Sequence, residues 1–125
     1  MKKIVKTANA PNPVGPYNQA VIAGGFVFTA GKIAIDPKTD QLLDGDVREQ
    51  TRLVLKNLQA ILRVAGSDLS KVVKTTVYLK SMGEFPLMNE VYAEFFTENA
   101  PARSTVEVSR LPKDVLVEID CVAEV

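Results

Sequence analysis

Two stretches of this chain space their apolar residues as a helix does, and both lie among segments that alternate like strands. In the first, Val47, Thr51, Val54, Leu58, Ile61, Leu62 and Ala65 recur at helical intervals. Asp46 and Glu49 precede the stripe in capping-box spacing, with Asp in place of the usual Ser or Thr, and Gly66 ends the segment. Arg48, Arg52, Lys56 and Arg63 lie off that stripe. The second helix is expected to start near Pro86, a residue suited to a first turn, and its stripe is Phe85, Met88, Tyr92, Phe95 and Phe96. Strand material surrounds both. "KKIVK" reads as a short strand, and "QAVIAGGFVFTAGKIAI" as two strands around a Gly24-Gly25 hairpin turn. "LSKVVKTTVYLKS" is a longer strand, and two more, about 103–109 and 114–124, flank "RLPKD". "ANAPNPVGPYN" is an irregular Pro/Gly loop, and "DPKTDQLLDGD" is a turn-rich connection.

The order ββ(β)-α-β-α-ββ predicts one α+β domain over residues 1–125, a mixed sheet with both helices on one face. Two helices can cover only one side of such a sheet. Simple alternation in the strand at 71–80 puts Val73, Val77 and Leu79 on one face, with Val72, Lys74, Thr76, Tyr78 and Lys80 on the other. Phe26, Phe28 and Ala30 alternate against Val27, Thr29 and Ile33, so that strand carries bulk on both faces. A second subunit is the expected cover for the remaining face.

Composition excludes several kinds of chemistry. Lys and Arg (15) balance Asp and Glu (15), which counts against nucleic acid as the main partner. No run of 18 apolar residues marks a membrane span, and the apolar run Ile4-Val5 is too short for a secretion signal. The lone Cys121 can make no internal disulfide, so a cytoplasmic setting is expected. The chain has no His. That removes a Ser-His-Asp triad, a Cys-His pair and imidazole metal ligation, and a single Cys cannot build a thiolate zinc site. Catalysis must rest on carboxylates, Arg, Lys, Tyr, hydroxyls and backbone groups, with no metal expected.

Within those limits a few residues draw notice. Arg103 begins a strand just after Pro101, either as a fixed cation for an anion or as half of a structural ion pair. Glu118 lies in "VLVEIDCV", where Leu116, Glu118, Asp120 and Val122 share a face. Tyr17 sits in the Pro/Gly loop, and Asn89 stands beside the Met88 and Tyr92 stripe. Cys121, on the strand face opposite Glu118, reads as a small buried hydrophobe.

Taken in order, "NAPNPVGPYNQAV", "FVFTAGKIAIDPKT", "GDVREQTRLVLKNLQAIL", "KTTVYLK", "MNEVYAEFF" and "PARSTVEVSRLPKDVLVEID" resemble the reactive intermediate deaminase (Rid, or YjgF) family over nearly the whole chain. The resemblance implies a cytosolic homotrimer of chorismate-mutase-like fold, with each site lying between two subunits. It implies hydrolysis of 2-imino acids such as 2-iminopropanoate and 2-iminobutanoate to 2-oxo acids and ammonia. Those imines arise from enamines released by pyridoxal-phosphate dehydratases. Carried over by position, Arg103 would bind the substrate carboxylate and Glu118 would activate water. Tyr17 and Asn89 would line the pocket, and backbone near Gly31 and Thr105 would fix the substrate. Such chemistry calls for no cofactor, no metal and no covalent nucleophile. The chain departs from the pattern at "GPYNQA", where many members have "GPYSQA". Ala30-Gly31-Lys32 stands where many have Ser-Gly-Gln, and Thr105 where many have Cys. Two rival readings are a 2-oxo acid binding or regulatory trimer without turnover, and an RNA-cleaving translation inhibitor.

Overall fold

Backbone pairing gathers six of the strands into one sheet. The computed structural model describes residues 1–125. In chain order the elements are β1 (Lys3–Val5), β2 (Ala20–Ala23), β3 (Phe26–Thr29), β4 (Ile35–Asp36), β5 (Gln41–Leu42) and α1 (Val47–Val64). Then come β6 (Val72–Leu79), α2 (Phe85–Phe95), β7 (Ala102–Glu107) and β8 (Val117–Glu124). The sheet order is β1-β2-β3-β8-β6-β7. Only the β6–β7 pair is parallel, with α2 connecting its two strands. The mixed α+β class expected from the pattern is the one observed.

Each helix starts and stops where its local chemistry dictates. Asp46 accepts a bond from the Glu49 amide at 2.9 Å, and the Glu49 carboxylate accepts one from the Asp46 amide at 3.3 Å, a reciprocal capping box. The chain leaves α1 through Gly66, whose φ of 84° suits only glycine comfortably. Between β2 and β3, Gly24 and Gly25 take φ values of 59° and 84°, the double positive pair of a tight hairpin. The buried face of α1 includes Val54, Leu55, Leu58, Ile61 and Leu62. It packs with Val27, Val77, Val117 and Ile119 from the sheet in one core. Fully burying one such side chain is worth about 1.5–3 kcal/mol, so this layer dominates stability.

The other sheet face has no such cover. Ile4, Phe28 and Val106 are 58%, 43% and 40% exposed, whereas Val27, Val77 and Ile119 on the helix side are each 0% exposed. No helix is long and apolar enough to cross a membrane.

Two details depart from the sequence expectation. Residues 35–42 form a small β4–β5 hairpin within the segment read as a turn-rich connection, turning through Asp40 at φ 60°. The Asn57 side chain ties this hairpin to α1 by donating to the Ile35 carbonyl at 2.9 Å. The second departure corrects the face assignment in β6. Against β8, Val72 pairs with Ala123 and Lys74 with Val122, so β6 carries an extra residue there, a β-bulge. The bulge turns Val73 outward to 39% exposure and puts Val72, at 5%, into the core. Alternation across a strand cannot reveal a bulge, because the extra residue is defined only by the partner strand.

This assignment can be checked by substitution. Val72→Ala should lower unfolding free energy by about 1–3 kcal/mol. Val73→Ala should stay within about 0.5 kcal/mol in urea denaturation, and a regular strand would give the reverse order.

Candidate functional site

The Glu118 carboxylate stands on the face turned away from the helices, because β8 pairs Glu118 with Tyr78 and Asp120 with Thr76. The segment following β3 runs alongside it. Lys32 donates its amide to the Ile119 carbonyl at 2.8 Å and accepts from the Ile119 amide at 3.1 Å. Gly31 therefore lies beneath the Glu118 side chain, and a methyl group there would overlap Oε2 of that carboxylate. A larger residue would push the end of the Glu118 side chain aside, so the glycine preserves the position of the carboxylate. Together Glu118, Gly31 and Lys32 line a cavity of about 430 Å³ with Tyr17, Asn12 and Lys113.

The cavity wall from the Pro/Gly loop has no helix or strand to shape it, and a buried side chain does so instead. Gln19 is 1% exposed. Its Oε1 accepts from the Thr7 amide at 2.8 Å, and its Nε2 donates to the carbonyls of Thr7, Ala10 and Pro11 at 3.0, 3.2 and 2.8 Å. These bonds satisfy backbone groups that a proline-rich segment cannot pair by itself. Tyr17, 45% exposed, completes the wall, and its hydroxyl accepts from the Val14 amide at 3.3 Å.

The electrostatics here favour a basic carboxylate. Burial pushes the Glu118 carboxyl above its ordinary value, and Asp120 beside it pushes the same way, against the opposing pull of the Lys32 cation. Asp120 is also raised by burial, offset by the hydrogen bond it accepts from the Tyr78 hydroxyl at 3.1 Å. Cys121 points to the opposite face, is 2% exposed, and has its thiol pushed up to about 12 by burial. It is chemically quiet, as expected.

Arg103 belongs to a different surface. It pairs with Thr75, whose hydroxyl bonds that of Tyr92 in α2 at 2.7 Å, so Arg103 faces the helix layer. Its guanidinium carbon lies 4.6 Å from the Tyr92 ring centre and 5.3 Å from that of Phe85. One guanidinium nitrogen donates to Asn89 Oδ1 at 2.7 Å. Every other arginine meets a carboxylate: Arg48 with Asp46 and Glu90, Arg52 with Glu94, Arg63 with Asp68, and Arg110 with Asp114. Arg103 meets none. Its alternative role as half of an ion pair within the chain is therefore ruled out. Two residues along the same strand face, the Thr105 hydroxyl is buried without a hydrogen-bond partner.

The structure thus sorts the expected site residues into two groups. Tyr17, Gly31 and Glu118 share the cavity, while Arg103, Asn89 and Thr105 gather on the helix side of the sheet. A single copy does not bring the groups together, since Arg103 and Glu118 project from opposite faces. Sequence reading did not assign Phe85 and Tyr92 as the bed for Arg103. Their spacing with Asn89, at i, i+4 and i+7, already placed all three on one helix face.

Residues 7–125 match the family model described as Endoribonuclease L-PSP. The chain belongs to that family. Its relatives include a RutC family protein of Pyrococcus horikoshii, 59% identical over 98% of each chain. The human 2-iminobutanoate/2-iminopropanoate deaminase is 42% identical over 98% of this chain and 90% of its own. Among solved structures, a Rid family protein of unknown function from Yersinia pestis superposes with a TM-score of 0.97 at 44% identity, covering all of both chains. The Rid resemblance seen in the motifs is therefore carried by the fold as well.

An arginine held by an amide and two rings, with no carboxylate to lose, should be nearly neutral for stability. Arg103→Met should change unfolding free energy by no more than about 1 kcal/mol, the scale of a partly exposed cation–π contact. A larger loss in denaturant titration would mean that Arg103 supports the fold.

Proposed function

We propose that this protein hydrolyses 2-imino acids to 2-oxo acids and ammonia, at sites assembled between copies in a cytoplasmic homotrimer. The observation that carries this reading is Arg103, the one arginine with no carboxylate, oriented by Asn89 and a Tyr92–Phe85 bed. A planar guanidinium held in this way offers two parallel donors to an incoming carboxylate. The half-buried Glu118, on the opposite sheet face, supplies a proton acceptor in a cavity. The exposed apolar residues Phe28 and Val106 give the Glu118 face a reason to meet another copy. A ring of copies would set the Glu118 cavity of one against the Arg103 surface of the next.

In this reading the substrate is a protonated imine, already a strong electrophile. Arg103 and Asn89 hold its carboxylate end. Glu118 takes a proton from a water molecule as the oxygen attacks the imine carbon, giving a carbinolamine. Returning that proton to nitrogen lets ammonia leave and the carbonyl form. The hydroxyl proton released as the carbonyl forms passes to the departing ammonia, so the net change is protonated imine plus water to 2-oxo acid plus ammonium. Orientation and one proton acceptor suffice, so the reaction asks for neither metal nor cofactor. Tyr17 closes the cavity wall, and Gly31 leaves room for the carboxylate above it. The deaminase named among the relatives supports the same reaction class.

The two-copy site makes a test by mixing. Arg103→Ala and Glu118→Gln variants should each lose imine hydrolysis, measured with a dehydratase that generates the imine from serine or threonine. Unfolded, mixed and reassembled at equal amounts, they should recover about a quarter of wild-type activity, because one site in four receives both intact residues. No recovery from properly assembled mixed trimers would mean that Arg103 and Glu118 do not serve one site from two copies.

Glu118→Gln keeps the shape but removes the proton acceptor, so turnover should fall by about two or more orders of magnitude. A pH profile adds an independent readout. A base works only when deprotonated, and the Glu118 carboxyl is raised. Wild-type kcat/KM should therefore fall with decreasing pH along a limb above the ordinary carboxylate range, and that limb should vanish in Glu118→Gln.

A further inference from the structure

The cavity beside Glu118 is larger than a small imino acid needs. Its volume is about 430 Å³, whereas 2-iminopropanoate brings only a methyl group as side chain. Pockets of roughly 300–1,000 Å³ enclose ligands of many more atoms. Much of the wall carries no polar side-chain atom: Pro11, Val14, Ala30, Ile33, Ile35 and Pro112.

These walls are held in place by the chain itself. Lys32 pairs with Ile119, so its side chain takes the Ile119 side of the sheet, and its neighbours Gly31 and Ile33 turn to the Glu118 side. The Ile35 amide donates back to the Ile33 carbonyl at 2.9 Å, a tight turn that brings Ile35 into the same wall. Gln19 Nε2 fixes the Pro11 carbonyl at 2.8 Å. Just beyond Pro112, Asp114 is gripped by two bonds from Arg110, at 2.9 and 3.2 Å.

With the substrate carboxylate on Arg103 and Asn89 of an adjoining copy, and the imine carbon at Glu118, only the side chain is left to meet these residues. An acidic side chain is poorly served there. Glu118 repels it, and Lys113, the cation exposed in the wall, is screened by water. An apolar chain needs no partner and displaces water from the wall.

We propose that this cavity selects 2-imino acids with long or bulky apolar side chains, of five or more carbons in all, over the three- and four-carbon ones. The proposal rests on the reading of the site as an imine hydrolase with Glu118 at the reacting carbon. Each methylene moved from water onto an apolar wall favours the bound state by about fourfold, so the preference grows with chain length until the cavity is full.

The test is a chain-length series on the intact oligomer. An amino acid oxidase, with catalase to remove peroxide, would generate the imines of alanine, 2-aminobutyrate, norvaline, norleucine and leucine. Semicarbazide trapping would follow their loss. The kcat/KM should rise by about fourfold per methylene from alanine to norleucine. Calorimetry supplies a series that needs no turnover: 2-oxohexanoate should bind at least about tenfold tighter than pyruvate, and 2-oxoglutarate no tighter than pyruvate. Val14→Ser and Ile33→Ser should each cut the long-to-short ratio by about threefold. Val14 is 76% exposed, so its variant carries this arm if Ile33→Ser fails to fold. A flat or falling kcat/KM series overturns the proposal even where every imine is hydrolysed. Tighter binding of 2-oxoglutarate, or a ratio unmoved in the folded variants, overturns it equally. Should no imine be hydrolysed, the hydrolase reading fails and the binding series decides: affinity rising with chain length upholds the cavity's preference, and a flat series overturns it.

Discussion

One antiparallel pairing, β8 between β3 and β6, decides where the chemistry of this chain can stand. Its alternation sends Val117, Ile119, Cys121 and Ala123 into the helix layer and leaves Glu118, Asp120 and Val122 on the other side. A slip of one residue would exchange these sets and bury two carboxylates against α1. The core therefore enforces the register. Every fully buried residue of β8 is an anchor that keeps Glu118 facing the cavity.

The other half of the chemistry depends on the parallel β6–β7 pair. Because α2 connects these two strands, it lies over the edge on which Arg103 emerges, and it brings Phe85, Asn89 and Tyr92 with it. Four arginines satisfy themselves with carboxylates on exposed surfaces, where such pairs are worth little. Arg103 is oriented by an uncharged amide and aromatic faces. That arrangement fixes its direction without neutralising it, a combination suited to an anionic ligand and of small use for stability.

Much of this was legible in the residues. The helix stripe and capping box of α1, the Gly24-Gly25 hairpin and the uncovered sheet face all follow from local chemistry and from counting helices against strands. The motifs carried the family, and comparison with known proteins agrees. Other features were not legible. The bulge that exchanges Val72 and Val73 exists only relative to β8, and the β4–β5 ladder depends on a left-handed Asp40 that composition does not announce. Phe85 and Tyr92 read as core because spacing reports a shared face and not what lies above it.

By itself the sequence determined which side chains were on offer: no imidazole, one thiol, balanced charge, an arginine after a proline and a glutamate in an apolar strand. It determined these because composition and local pattern need no knowledge of neighbours. Only the tertiary structure decided how they are grouped. Strands distant in sequence set each other's register, and that register put Arg103 on the helix side of the sheet and Glu118 on the open side. It also tied the segment after β3 to β8 through a bridge between residues 32 and 119, which sets Gly31 against the Glu118 carboxylate. Contacts of this kind arise from packing the whole chain, where burial and pairing compete over long separations, and no short window of sequence contains them.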